Sequence, residues 1–446
     1  MSIRDTVIIG GGHNGMVAAA MLAKAGLKPL VLERSDRIGG CAITSEITPG
    51  FRCSTLAHRA AIDGDVIGTL NLERHGLDII RPTARVCAPD TQGRALVLWT
   101  DTTRAALEIA AFSSRDAQRY PQFLSSVAAV SAVLRTLIAR PPPSVHDLSA
   151  SDVLDLFKAA RTLRALGRTD AHRLLRWMTM PAADFVHEWF ESEPLASTIA
   201  AGGTLGSFLG PRSGGSAAVL LWLGAGEGHP VAPGWTARGG IGAVSDALAR
   251  AARQAGADIR VRAEVREILV QDGAATGVVL ATGERIAAER VVSNLDPRRT
   301  LLGLVDPALL PPAFLHAARH IRMRGSLAKI NYAVSSLPRF ASVGARAPAE
   351  RDAALSGWVR LCPGLDALER AFDAAKYGGF AAEPWIELAI PSILDPGLAP
   401  PGGHVVSAYV QFAPYTLRGT TWDDERERLG DVATRTIARY APGFEQ

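Results

Sequence analysis

Residues Gly10-Gly11-Gly12-His13-Asn14-Gly15 have the spacing G-x-G-x-x-G, and a carboxylate, Glu33, stands eighteen residues beyond the last glycine. Those residue types at that spacing suit the grip of a dinucleotide. Gly10 permits a tight turn, Gly12 lets the backbone approach a diphosphate, and Gly15 lets a helix pack closely on a strand. A carboxylate at the position of Glu33 accepts hydrogen bonds from ribose hydroxyls and repels a 2′-phosphate.

The flanking residues predict the elements that would hold this constellation. Thr6-Val7-Ile8-Ile9 is a β-branched run suited to a buried parallel strand. Met16 to Ala25 is rich in good helix formers and ends at Gly26. Pro29 to Leu32 reads as a second strand with Glu33 at its end. The helix N-terminus offers free N–H groups and a partial positive charge to phosphates. An isolated G-x-G-x-x-G also fits an ordinary strand–turn–helix. Here strand, glycines, helix, second strand and acid occur in order, which favours the nucleotide. A further pair, Gly39-Gly40, follows Arg34-Ser35-Asp36-Arg37-Ile38. It reads as a second close backbone approach or as a plain loop.

The stretch VIIGGGHNGMVAAAMLAKAGLKPLVLERSDRIGGCAITSEITPGF resembles the N-terminus of the FAD-dependent phytoene desaturase and carotenoid isomerase family. Within that family it is similar to the group named for a pyridine nucleotide-disulfide oxidoreductase domain-containing protein 2. The His13-Asn14-Gly15 variant and the Glu33…Gly39-Gly40 spacing carry the resemblance. No redox-active cysteine pair accompanies it. The resemblance implies FAD as cofactor, with Gly10, Gly11, Gly12, Asn14, Gly15, Glu33, Arg34, Gly39 and Gly40 around it. It also implies an α/β protein: a Rossmann-like, glutathione-reductase-type FAD-binding domain with a discontinuous α+β substrate domain. The activity implied is hydride or electron transfer to flavin from a small hydrophobic, polyene-like substrate. Relatives place a Gly-rich C-terminal segment against the flavin, and the sequence runs to Gln446 before one. The alternative expectation is therefore a non-catalytic or incomplete FAD-binding protein. An NAD-dependent dehydrogenase is a third reading, disfavoured by Gly39-Gly40.

Expected domain boundaries are 1–60 and 231–300 for the FAD-binding domain, and 61–230 and 301–446 for the substrate domain. In the second FAD segment, Gly239 to Gly242 opens a helix over Ala243 to Ala255, and Ile259 to Ile268 reads as one alternating strand. A meander then returns through a buried strand at Arg290 to Asn294. The family implies that Val265 lays its backbone against adenine; by itself Val265 reads as a buried strand residue. Gly224-Ala225-Gly226-Glu227-Gly228 is G-x-G-x-G before His229-Pro230 and reads as a loop. Helical patterns are predicted at Arg115 to Ala139 and Ala150 to Trp177, separated by Pro141-Pro142-Pro143. Strands are predicted at Ser326 to Val334, Trp385 to Ile390 and Val405 to Phe412, and a helix at Asp423 to Tyr440.

Gly206-Ser207-Phe208-Leu209-Gly210 departs from G-x-S-x-G, so a hydrolase is not supported. Lys329 shares a strand face with Asn331. Its context is similar to that of flavin amine oxidases, where such a lysine holds a water near flavin N5. The competing reading is an edge lysine reaching to solvent. His13 and His58 lie close in sequence to the motifs, as structural residues or as proton carriers. Lys158, Arg161, Arg164, Arg168, Arg173 and Arg176 alternate with apolar residues, either as a solvated helix face or as contact with an anionic membrane surface.

Forty-eight basic against 44 acidic residues give a net charge of +4, too mild for a nucleic-acid partner. The four cysteines form no CxxC pair and no zinc-type cluster, so no metal is expected and a reducing compartment is. No signal peptide is evident, and the longest apolar run, Ala217 to Leu223, is too short to cross a bilayer. The expected location is cytoplasmic, with peripheral membrane contact as the second reading. No sequence feature fixes an oligomeric state.

Overall fold

The computed structural model describes residues 3–57, 62–139, 149–231 and 234–445. The chain forms two compact units, one of Met1–Glu46, Arg52–Ile80 and Thr236–Met323, the other of Ile47–Phe51, Arg81–Trp235 and Arg324–Gln446.

The first unit is built on a four-stranded parallel sheet in the order Val291–Ser293, Thr6–Ile9, Pro29–Leu32, Asp258–Arg260. The central pair is buried throughout, as its β-branched and aliphatic side chains require. Helix His13–Lys24 crosses between these two strands and packs on helix Gly242–Ala255. Both contact faces are rich in alanine, including Ala19, Ala20, Ala23, Ala247 and Ala251, so the helix axes come close. The outer strand Val291–Ser293 is not fully buried: Val292 is exposed, because this strand is the edge of the sheet.

The alternating run Ile259 to Ile268 is two strands rather than one. Asp258–Arg260 joins the parallel sheet, and Val265–Gln271 begins a separate three-stranded antiparallel sheet with Ala274–Leu280 and Arg285–Ala287. The break is at Arg262, whose φ is 53°. There the chain bends and its amides are taken by carbonyls, Arg262 N–H donating to Ser35 O and Ala263 N–H to Glu33 O, each at 2.8 Å. Alternation of side chains cannot report a change of sheet. The unit also runs past residue 60 to Ile80, where Arg250 on helix Gly242–Ala255 donates to His75 O at 2.6 Å.

The second unit holds a six-stranded mixed sheet in the order Leu327–Val334, His404–Gln411, Ile386–Ala389, Trp358–Leu361, Ala84–Pro89, Ala95–Trp99. Only the pairing of Trp358–Leu361 with Ala84–Pro89 is parallel. Helix Ser114–Ile138 buries Tyr120, Phe123, Val127 and Val130 in an aromatic core with Phe185, Trp189 and Phe190. By length and composition this helix could cross a bilayer, so Ala217 to Leu223 is not the strongest apolar candidate. Its buried face instead makes it a core element of this unit.

Gly224, Ala225 and Gly226 lie in helix Ser216–Glu227, not in a loop. The helix packs on Ser114–Ile138, and a Cβ at Gly224 would fall 2.7 Å from Ser131 Oγ. The glycine serves close helix packing and carries no phosphate turn. The pattern from Ala150 to Trp177 is two helices, Ala150–Ala165 and Gly167–Trp177, divided where Gly167 takes a φ of 74°. Pro141 to Pro143 lie outside the described residues.

Candidate functional site

The glycine motif folds into a cradle between Thr6–Ile9 and His13–Lys24. Gly10 N–H donates to Leu32 O at 2.8 Å and ties the turn to the second strand. At Gly15 no side chain is possible: a Cβ would sit 2.2 Å from Gly10 O. Gly12 is the N-cap of the helix, makes no side-chain cap, and is followed by no acidic residue in the first turn. A diphosphate at this end would meet backbone N–H groups and the positive end of the helix with no competing carboxylate.

Glu33 is buried, 7% exposed, and both its oxygens are oriented by backbone. Gly11 N–H donates to Oε2 at 2.7 Å and Ser35 N–H to Oε1 at 2.9 Å. The Gly11 amide therefore aims the carboxylate and is not left over for a phosphate. Gly11 O accepts from Gly39 N–H at 2.8 Å, and Gly40 lies against Gly12. Gly39 has a φ of 123°, and a Cβ there would approach Ala42 O to 2.7 Å, so this loop also depends on glycine. Asn14 and Arg34 are exposed beside the cradle. Val265 is buried in one core with Val7, Leu30 and Leu32, and the backbone just before it hydrogen-bonds to Glu33. His13 is half-buried and burial holds its pKa below the usual histidine value. His58 lies outside the described residues.

Two parts of the cradle escaped the sequence reading. Asn294, just after the edge strand, donates from Nδ2 to Gly10 O at 3.5 Å and lies against Gly12 and Gly15. Its one signal was an amide side chain at the end of a strand returning to the first sheet. The Gly39–Gly40 loop is braced from behind: Ser245 Oγ donates to Ala42 O at 2.7 Å, and Gly242 N–H donates to Thr44 Oγ1 at 3.0 Å. The pair Gly239-Gly240 before that helix was visible, but its partner was not.

Lys329 belongs to the second unit, on the edge strand of the six-stranded sheet. It does share a face with Asn331: Nζ donates to Asn331 Oδ1 at 2.6 Å, and Ser407 Oγ donates to the same oxygen at 3.1 Å. Register sets Lys329 opposite Tyr409, Tyr409 opposite Glu387, and Glu387 opposite Arg360. A polar row thus crosses four strands. Arg360 and Glu387 are wholly buried and paired at 2.7 Å, and Arg360 also donates to Thr198 O and Val231 O. At the sheet edge a cavity of about 560 Å³ is lined by Leu327, Ile330, Trp422 and Leu429, with the charged Lys329, Arg426 and Glu427 also in its wall.

A parallel strand–helix–strand cradle with a buried carboxylate fixed by backbone, in a chain that also carries a mixed-sheet unit, is the arrangement of a dinucleotide-binding α/β protein. The chain belongs to the flavin containing amine oxidoreductase family, whose model matches residues 15–429, and its cofactor is FAD. It is 36% identical to a rat pyridine nucleotide-disulfide oxidoreductase domain-containing protein 2, an alignment covering 99% of this chain and 79% of that one. It is 30% identical to the hydroxyneurosporene desaturase of Rhodobacter capsulatus over 68% of this chain and 58% of that one. Among solved structures, the cyclohexylamine oxidase of Brevibacterium oxydans superposes with a TM-score of 0.54 at 15% identity, covering 100% of this chain and 83% of that one. The chain is an FAD-dependent oxidoreductase. The non-catalytic alternative finds no support among these relatives.

Proposed function

We propose that the protein oxidises a small hydrophobic substrate in a desaturase- or isomerase-like reaction, within a glutathione-reductase-type arrangement. Bound FAD supplies the hydride or electron acceptor. The cradle carries this reading: an uncapped helix start at Gly12 faces a buried carboxylate fixed by two amides. In the proposed complex Gly12 admits the diphosphate, above the tight turn that Gly10 permits and the close helix packing that Gly15 permits, with Asn14 and Arg34 at the rim. Gly11 aims Glu33 at the ribose, and Gly39 and Gly40 give a second close approach. Val265 lays its backbone along the adenine. The hydrophobic substrate class is supported by the identity to a hydroxyneurosporene desaturase and by the mostly apolar cavity at the sheet edge. Lys329, its ammonium held by Asn331, is proposed to hold a water beside the flavin.

The visible spectrum of the purified protein tests the proposal. Flavin bands that bleach anaerobically with an apolar polyene, and are lost in Glu33→Ala, are the expected result. A colourless protein that takes up no FAD overturns it, as do flavin bands indifferent to every apolar donor.

A further inference from the structure

Helix Pro312–His320, in the first unit, carries two histidines one turn apart, His316 and His320, both exposed. Its buried residue is Ala318. At about 100° per residue, His316 and His320 lie roughly 160° and 200° round from Ala318, so they share the face turned away from the core. Their ring centroids are 4.1 Å apart and the planes are tilted by 35°. Two nitrogens bound to one ion at about 2.0–2.1 Å each stand no more than about 4 Å apart. Rings this close meet that limit with at most a turn of one ring. His320 Nδ1 lies 2.7 Å from His316 O. A carbonyl oxygen only accepts, so Nδ1 carries the proton and, in the neutral ring, Nε2 keeps its lone pair. A ring N–H given to a backbone carbonyl is the usual support behind a metal-bound histidine, because it fixes the tautomer.

We propose that His316 and His320 together chelate one divalent transition-metal ion of the imidazole-preferring class, copper(II) ahead of zinc(II). Two histidines at i and i+4 on one helix face are spaced to grip a single ion. Calcium and magnesium want oxygen donors, and Pro312–His320 contains no Asp or Glu. Among the described residues no third His, Cys, Asp or Glu joins the pair, so solvent completes the coordination. With only two protein donors the affinity order of the metals themselves decides, and copper(II) stands first in it. The pair lies at the C-terminal end of the helix, whose negative pole favours a cation. Arg319, Arg322 and Arg324 oppose it, but all three are exposed and screened by water, so they weaken the site without closing it. The inference does not rest on the proposed reaction.

Titration of copper(II) sulfate into the untagged, flavin-loaded protein tests it, read by calorimetry and by the electron paramagnetic resonance of the bound copper. One copper per chain, with hyperfine coupling to two nitrogens, is the expected result, and zinc(II) should bind more weakly. His316→Gln and His320→Gln should each lower the affinity at least about tenfold. His172→Gln, which removes an exposed histidine elsewhere, should leave it unchanged. Flavin content and melting temperature report the folding of each variant. A parent protein that binds no copper overturns the inference, as does equal binding by the parent and both single variants. So does an affinity that falls only when both histidines are replaced, since one ring would then suffice. One copper per two chains overturns it as well, by making the ion a bridge between copies.

Discussion

The two polar constellations of this protein are assembled in opposite ways. The cradle draws most of its parts from residues 10–40, a single strand–helix–strand unit whose hydrogen bonds span a few turns of chain. The row from Lys329 to Arg360 draws one residue from each of four strands, and only register aligns them. Within that row the two ends differ again. Arg360 and Glu387 are wholly buried, and the guanidinium is spent on a carboxylate and two carbonyls. Lys329 and Asn331 are half-buried at the edge strand. One polar ladder is thus wholly buried at one end and half-buried at the other.

The cradle is the easiest to break. Gly15→Val puts a side chain where even a Cβ would meet a carbonyl at 2.2 Å, and should abolish cofactor binding. Loss of flavin absorbance with retained far-UV circular dichroism is the expected measurement. At the buried end of the row, Arg360→Met removes the guanidinium from the wholly buried Glu387 carboxylate and should lower unfolding free energy by about 3–5 kcal/mol. Adding Glu387→Leu should restore most of that loss in denaturant titrations. If the double variant is no more stable than the single one, the pair does more than satisfy itself.

At the open end, Lys329→Met should leave flavin content and melting temperature nearly unchanged and slow the reductive or oxidative half-reaction about 100-fold. Unchanged rates in both stopped-flow half-reactions would falsify a role at the reacting centre and make Lys329 an edge lysine. Near neutral pH the smallest effect comes from a titration. Burial first, and Arg85 second, push the His229 imidazole down to about 3 from 6.5. The unfolded chain therefore takes up a proton near pH 6.5 that the folded chain refuses. Stability is fully present above that pH and falls as the medium is acidified toward pH 3, by at most about 1.4 kcal/mol per unit. Thermal melts of His229→Gln should show a shallower acid slope.

What the chain alone determined is its nucleotide end and most of its regular elements. The glycine spacing, the strand Thr6–Ile9, the helix before Gly26 and Glu33 were legible because each depends on neighbours close in sequence. The strands Leu327–Val334 and His404–Gln411 were legible to within a residue at either end. Tertiary structure decided the rest. Gly224 was misread as a loop residue because a glycine in a loop and a glycine between packed helices look alike until the partner, Ser131, is in place. Ile259 to Ile268 was read as one strand because side-chain period does not say which sheet receives it. Asn294, Ser245 and the opposition of Lys329, Tyr409, Glu387 and Arg360 arise from residues up to hundreds of positions apart. Such neighbours are chosen by sheet order and register, which the whole core fixes at once and no local pattern encodes.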